Sequence, residues 1–108
     1  PRATTWKYAL YPDMVTSNEP GYYKEGAFGI RHENLVLSVE KEKTEYGTFC
    51  IFETLTLVPF DLDGIDAKLL TADEKAWIND YHKTVFEKLH KSLHGKDLLF
   101  LAKATRAI

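Results

Sequence analysis

The chain has 108 residues, of which 44% are hydrophobic and 28% charged, proportions that are typical of one small globular domain. Its formal net charge of -2 excludes the basic surface that nucleic acid or anionic lipid would require in a partner. The single cysteine, Cys50, excludes an internal disulfide and a cysteine-rich zinc site, and no apolar stretch is long enough to predict a membrane span.

Short strands and turns are predicted at the beginning of the chain. Residues 1–12 show no clear hydrophobic period, which indicates an extended entry segment, and residues 14–17 are a short strand candidate. The Pro-Gly pair at 20–21 predicts a sharp turn, because proline presets its backbone and glycine accepts positive φ. A strand is predicted to resume at residues 22–23 and to end in a surface loop at 24–26.

The most regular strand pattern runs over residues 28–40, where successive side chains point to opposite faces. This alternation predicts that Arg31 and Glu33 share one face with aliphatic side chains. Those side chains belong to Leu35, Leu37 and Val39. A charge left without a partner on an apolar face costs on the order of 3–5 kcal/mol, so these charges are expected to be paired or bound to a ligand.

Glu19 and Glu33 are two carboxylates on segments that read as neighbouring strands. Two carboxylates held close together repel each other and resist burial, so a cation is the usual reason for such an arrangement. The residues alone leave a second reading open, in which Glu19 is a turn residue and Glu33 forms a salt bridge with Arg31.

A second long strand is predicted over residues 48–58, which are rich in β-branched and aromatic residues and end at Pro59. The polar run at 40–47 would connect it to the preceding strand as a hairpin. Glu53 is a lone carboxylate on the apolar side of this strand. A buried, hydrogen-bonded structural carboxylate and a group that supports a metal ligand are equally good readings of it.

Helices are predicted in the last third of the chain. Thr71 and Glu74 have the spacing of a capping box, and apolar residues then recur at helical intervals to about residue 92. This helix is expected to stop at Gly95, and residues 97–104 are expected to form one more short helix. Because the strands come first and the helices last, the predicted fold class is α+β.

The histidines are not predicted to bind metal. His82, His90 and His94 are read as surface residues of the helical part, and His32 lies on the strand face opposite Glu33. Cys50 is read as a packed small residue rather than a nucleophile.

Four runs of residues carry a resemblance to a known family. The segments 14–23, MVTSNEPGYY, and 26–36, GAFGIRHENLV, resemble the C-terminal part of aminopeptidase P, an Xaa-Pro aminopeptidase of the creatinase-like, pita-bread metallopeptidase family. FETLTLVPF at 52–60 and WINDYH at 77–82 are similar to its long eukaryotic-like subtype. The resemblance implies that antiparallel strands in residues 1–66 form part of the pita-bread catalytic domain, and that residues 67–108 form a helical C-terminal tail.

The resemblance also implies a site. The family removes the N-terminal residue from peptides with proline at position two, and it uses two divalent ions, usually manganese, with zinc or cobalt as alternatives. Two Asp, one His and two Glu hold these ions. By position, Glu19 resembles the fourth ligand, which is also the acid/base candidate, and Glu33 resembles the last ligand, which bridges both ions. Arg31 and Glu53 would support these ligands.

The two Asp ligands and the His ligand of the family belong to segments upstream of this chain. The chain alone is therefore expected to be inactive and to bind no metal tightly, and its expected partners are the rest of an aminopeptidase chain, peptide substrates and a second copy in a homodimer. Nucleic acid and membrane are not expected partners, and a cytoplasmic setting fits the lone Cys50. The alternative is a truncated, non-catalytic homologue that acts as a dimerisation or binding module. The first residue, Pro1, is not a methionine, which favours a processed chain or a piece of a longer one.

Overall fold

The computed structural model describes residues 9–108, which divide into two compact units. The first unit runs to Thr56 and the second comprises Leu57–Ile108. The predicted entry segment falls mostly on residues 1–8, which lie outside the described residues. Strands make up the first unit and helices the second, which confirms the predicted α+β class. The division of the parent fold into 1–66 and 67–108 stays a prediction.

The described part of the first unit contains five strands, all paired antiparallel. They are β1 (Val15–Asn18), β2 (Gly21–Lys24), β3 (Phe28–Arg31), β4 (Asn34–Thr44) and β5 (Gly47–Thr54). In one sheet β4 lies between β1 and β5, and β2 and β3 form a separate two-stranded sheet. The predicted hairpin between the two long strands is confirmed, since β4 and β5 are joined by a two-residue turn.

The strand predicted over residues 28–40 is two strands in the structure. His32 and Glu33 separate β3 from β4, and the two strands belong to different sheets. The prediction of one continuous strand is therefore wrong. The alternation of side chains between two faces therefore does not run on from Arg31 to Leu35, because the backbone hydrogen-bond ladder is interrupted between these residues.

The chain reverses direction at Gly26, not at the predicted Pro-Gly turn. Gly26 has a φ of 68°, a left-handed conformation that glycine adopts without steric cost, and it lies in the turn between β2 and β3. Gly21 instead begins β2, and the described glycines with positive φ are Gly26, Gly47 and Gly95. Glu19 and Pro20 thus only link β1 to β2.

The second unit is built around α1 (Ala72–Leu89) and α2 (Gly95–Ala104), with short 3₁₀ turns at Leu62–Gly64 and His90–Ser92. The predicted capping box is confirmed: the Glu74 N–H donates to Thr71 Oγ1 at 3.2 Å, and the Thr71 N–H donates to Glu74 Oε2 at 2.8 Å. The prediction that Gly95 stops a helix is wrong, because Gly95 is the first residue of α2.

The core of the second unit consists of Tyr81, Val85 and Leu101, all buried. Partly buried hydrophobic side chains surround them, namely Leu57, Phe60, Phe86, Leu89 and Leu93. The Tyr81 hydroxyl donates to the Val58 carbonyl at 2.7 Å, so the polar end of this core aromatic is satisfied.

His82 belongs to this interior, and the prediction that it is a surface residue is wrong. Its exposure is 0%, and its Nε2 accepts a hydrogen bond from the Phe60 N–H at 3.0 Å. Burial lowers the pKa of His82, because a charged imidazolium is poorly solvated inside the unit. His82 is four residues after Ile78 and three before Val85, both buried, so helical spacing could have assigned it to the inner face of α1.

Candidate metal centre

Glu19 and Glu33 lie opposite each other at the break between the two sheets of the first unit. Before the break Asn18 pairs with Asn34, and after it Gly21 pairs with Arg31. The register is the same on both sides, so the two residues that interrupt each strand also oppose each other, Glu19 against Glu33. The backbone is close at this point, since the His32 N–H donates to the Pro20 carbonyl at 3.4 Å.

Arg31, the last residue of β3, binds Glu19 through two contacts. Its Nη1 lies 2.9 Å from Glu19 Oε2, and the same nitrogen donates to the Glu19 carbonyl oxygen at 3.1 Å. Arg31 therefore holds both the side chain and the main chain of Glu19. The sequence pattern predicts Arg31 beside Glu33, but the ion pair that Arg31 forms within the described residues is with Glu19.

Tyr23 contacts Arg31 from the neighbouring strand β2. Arg31 Nε donates to the Tyr23 hydroxyl at 2.8 Å, and the guanidinium carbon lies 5.5 Å from the centroid of the Tyr23 ring. The pKa of the Arg31 guanidinium is raised, and this hydrogen bond is the main cause. The negative charges of Glu19 and Glu33 act in the same direction, and partial desolvation acts against it.

The Tyr23 ring lies directly over two glycines. A Cβ added at Gly21 would come 2.8 Å from the ring, and one added at Gly29 would come 2.5 Å from it. Real Cβ contacts are essentially never this short, so the ring occupies space that only glycine leaves open. Sequence reasoning missed this role of Tyr23. The hairpin register, which pairs Tyr23 with Gly29, could have revealed it.

Glu53 lies on β5 and pairs with Leu37 of β4. Leu37 is four positions beyond Glu33, about 13 Å along an extended strand at roughly 3.3 Å per residue. Glu53 is exposed, as are Ile51 on the same strand and Leu55 just after its end. The register therefore does not bring Glu53 to the pair of opposed carboxylates.

The chemistry of the opposed carboxylates fits part of a site for a hard divalent cation, which prefers about six oxygen or nitrogen donors. Arg31 contacts Oε2 of the Glu19 carboxylate, and a carboxylate has about four lone-pair sites, so Glu19 keeps acceptor capacity. Within residues 9–108 no group of three or more His, Cys, Asp or Glu side chains could hold a metal ion. Glu19 and Glu33 could therefore supply at most part of the donor set for such an ion.

None of the helices described in residues 9–108 combines the length and the apolar character needed to cross a membrane.

Most of the chain is similar to known proteins. Residues 48–108 match the family model for the C-terminal region of peptidase M24. A probable Xaa-Pro aminopeptidase P from Arthroderma otae is 54% identical over 90 residues, which are 81% of this chain and 14% of the relative. One from Fusarium vanettenii is 46% identical over 93 residues, 83% of this chain and 15% of the relative.

A crystal structure of X-prolyl aminopeptidase from Caenorhabditis elegans has the same architecture, with a TM-score of 0.78 and 35% identity. The match covers 92% of this chain and 17% of that protein, which is a cytosolic enzyme with a di-nuclear active site. The chain spans about 15% of the length of the Fusarium relative. With these identities over most of its length, the chain belongs to the Xaa-Pro aminopeptidase P family of M24 peptidases and corresponds to its C-terminal region.

Proposed function

We propose that this chain is the C-terminal part of a metal-dependent Xaa-Pro aminopeptidase, which hydrolyses the peptide bond before a proline at position two. The observation that carries the proposal is the opposition of Glu19 and Glu33 beside Arg31, in a chain 46% to 54% identical to probable Xaa-Pro aminopeptidases P. The di-nuclear site of the Caenorhabditis elegans enzyme supports the same assignment.

Glu19 and Glu33 are proposed as ligands of two divalent ions, with manganese as the expected metal and zinc or cobalt as alternatives. When bound, such ions polarise the scissile carbonyl and lower the pKa of a coordinated water. Glu19 is the candidate for holding and passing a proton at its carboxylate. Arg31 is proposed to fix the orientation of Glu19. The predicted supporting role of Glu53 stays a prediction, because the register does not bring this residue to Glu19 and Glu33.

The remaining ligands are proposed to come from the rest of the aminopeptidase polypeptide, which is the first expected partner of this chain. Without them Glu19 and Glu33 are too few donors to hold a divalent ion tightly. The complete protein is proposed to be a cytoplasmic homodimer that acts on peptides with proline at position two. The cytosolic Caenorhabditis elegans enzyme supports the compartment.

The test uses the complete protein that carries this chain, supplied with Mn²⁺. It compares cleavage of two peptides that differ only at position two, one with proline and one with alanine. The wild type is expected to cleave the proline peptide preferentially. Glu19→Gln and Glu33→Gln are expected to lower kcat/KM by at least about 100-fold, because each removes a charged ligand but keeps the side-chain size.

Glu45→Gln is the matched control, since Glu45 lies in the exposed turn between β4 and β5. It should leave kcat/KM unchanged. A wild type that cleaves neither peptide, or ligand variants as active as the control, would contradict the proposed function.

A non-catalytic binding or dimerisation module is the second candidate. It is favoured by the exposure of large apolar side chains in and beside the three-stranded sheet. Leu35 of β4 and Ile51 of β5 are 47% and 43% exposed, and Leu55, just after β5, is 44% exposed. The mass of the protein isolated from its native source separates the two candidates. A mass several times that of 108 residues supports the enzyme, whereas a mass matching this chain alone supports the module.

A further inference from the structure

We propose that the second unit of this chain binds the second unit of another copy, with α1 of each copy lying against α2 of the other. This inference rests on the homodimer proposed above and names the surface through which two copies meet. It involves neither the candidate metal ligands nor peptidase activity.

One side of α1 and one side of α2 carry residues at the same spacing. Positions i, i+3, i+4 and i+7 lie on one side of a helix. On α1 these exposed positions form what we call the acidic face, Asp73, Ala76, Trp77 and Asp80. On α2 they form what we call the basic face, Lys96, Leu99, Phe100 and Lys103, which is also exposed. On each face two like charges, about 10.5 Å apart along the helix, enclose an apolar centre.

The apolar centres of both faces are open to solvent. Trp77 is 52% exposed, and Leu99 and Phe100 are 71% and 72% exposed. The Trp77 ring stacks on Tyr81 with centroids 5.7 Å apart, so a buried residue holds it in place while its outer side stays uncovered. Aromatic side chains held in this way are typical anchors of protein interfaces.

The four charges that enclose these centres form no salt bridge within the described residues. The helix dipole accounts for two of them, since Asp73 lies in the first turn of α1 and Lys103 in the last turn of α2. It does not account for the other two. Asp80 lies in the middle of α1, and Lys96 is the second residue of α2, where the dipole disfavours a positive charge.

The acidic and basic faces do not meet within one copy. The two helices pack together through other residues, since Tyr81 and Val85 of α1 form one buried cluster with Leu101 of α2. The residues of both faces are exposed, so both faces lie outside this cluster. Each face is therefore available to another copy.

The charges select which helices pair between two copies. Two acidic faces or two basic faces would bring like charges together, which disfavours the contact. An acidic face against a basic face sets each carboxylate opposite an ammonium, because the charges have the same spacing on both helices, and it covers both apolar centres. A two-fold axis then repeats the contact with the roles of the copies exchanged. A second copy is thus an occupant whose complementary surface the chain itself supplies.

The experiment measures self-association of the complete protein by analytical ultracentrifugation. Lys96→Glu combined with Lys103→Glu makes both faces acidic, and Asp73→Lys combined with Asp80→Lys makes both faces basic. Each of these two variants alone is expected to dimerise at least about 100-fold more weakly than the wild type, because every contact then opposes like charges.

A mixture of the two variants is the decisive sample. In a mixed dimer each acidic face of one variant meets a basic face of the other, so association is expected to return as a heterodimer. A variant that had lost its fold would not recover association on mixing. Lys24→Glu combined with Lys41→Glu is the matched control, because it changes the net charge as the first variant does, at exposed positions of the first unit. The control should dimerise like the wild type.

Three results would overturn the inference. If both variants dimerise like the wild type, another part of the polypeptide covers these faces, and the inference fails alone. If the variants are monomeric and their mixture stays monomeric, the inference also fails alone. A monomeric wild type overturns the proposed homodimer and the inference with it. Cleavage of the proline peptide, measured separately, still tests the peptidase assignment in each case.

Discussion

The buried imidazole of His82 accepts a hydrogen bond from the backbone N–H of Phe60 at 3.0 Å. Its other nitrogen, Nδ1, lies 3.5 Å from the carbonyl oxygen of Arg106. Because Nε2 is the acceptor, the arrangement requires the neutral tautomer with the proton on Nδ1. One side chain of α1 thus connects the segment before the helices with the segment after them.

Stability is expected to depend on the protonation of His82. Burial lowers the pKa of His82, the positive charge of Arg106 adds to this effect, and the Arg106 carbonyl opposes it. The folded pKa thus lies below the unfolded value of roughly 6.5. As pH falls through that value, the unfolded chain binds a proton that the folded chain does not, so the free energy of unfolding decreases. At higher pH this contribution is fully present.

The measurement is the urea midpoint of unfolding at about pH 7.5 and about pH 5.5, the range in which a histidine titrates. His82→Gln should remove most of the decrease seen in the wild type. His94→Gln is the control, because His94 is exposed and makes no capping hydrogen bond at the start of α2. An equal pH response in wild type and His82→Gln would contradict the assignment.

Thr71→Ala is expected to lower the free energy of unfolding by about 1 kcal/mol. The substitution removes the hydroxyl that accepts from the Glu74 N–H, and with it one half of the capping box. The urea midpoint is again the measurement. Thr84→Ala serves as control, since Thr84 is exposed within α1 and its hydroxyl only returns to the Asp80 carbonyl; its effect should stay within about 0.5 kcal/mol.

The start of α1 could be predicted because its signal lies within four residues, from Thr71 to Glu74. The division of β3 from β4 could not, because an alternating pattern reports local conformation and not which strand becomes the partner. His82 was misjudged for a different reason. Its residue type suggested the surface, whereas its spacing from Ile78 and Val85 indicated the inner face of the helix.

In the candidate site, too, some residues can be recognised from their neighbours in the sequence, whereas others can be recognised only from the strand pairing. Glu19 and Glu33 were found from the residues around them, and their separation of 14 positions follows from a hairpin that reverses at Gly26. The contact between Tyr23 and Arg31 was missed because it depends on which residues lie across the strand. An aromatic residue paired with glycine becomes informative only when the register is known.

Arg31→Lys is expected to weaken Mn²⁺ binding to the complete protein by about tenfold. Lysine keeps the positive charge but has no planar group that can bond Tyr23 and Glu19 together. Arg106→Lys is the matched control, because Arg106 forms an ion pair with Asp63 in the second unit at 3.3 Å, and Asp63 is 90% exposed. If Arg31→Lys binds Mn²⁺ like this control, charge alone is sufficient at position 31.

Gly29→Ala is expected to lower the free energy of unfolding by about 1–2 kcal/mol. The new Cβ would come 2.5 Å from Tyr23 Cδ1, but Tyr23 is 60% exposed and its ring can swing outward, which limits the cost. Gly64→Ala is the control, since a Cβ there meets nothing within 4 Å and the residue has no positive φ. The urea midpoint of each variant gives the comparison. Because displacing the ring also takes the hydroxyl away from Arg31, Gly29→Ala should also weaken Mn²⁺ binding to the complete protein. A Gly29→Ala protein as stable as Gly64→Ala would show that the ring does not depend on the glycine beneath it.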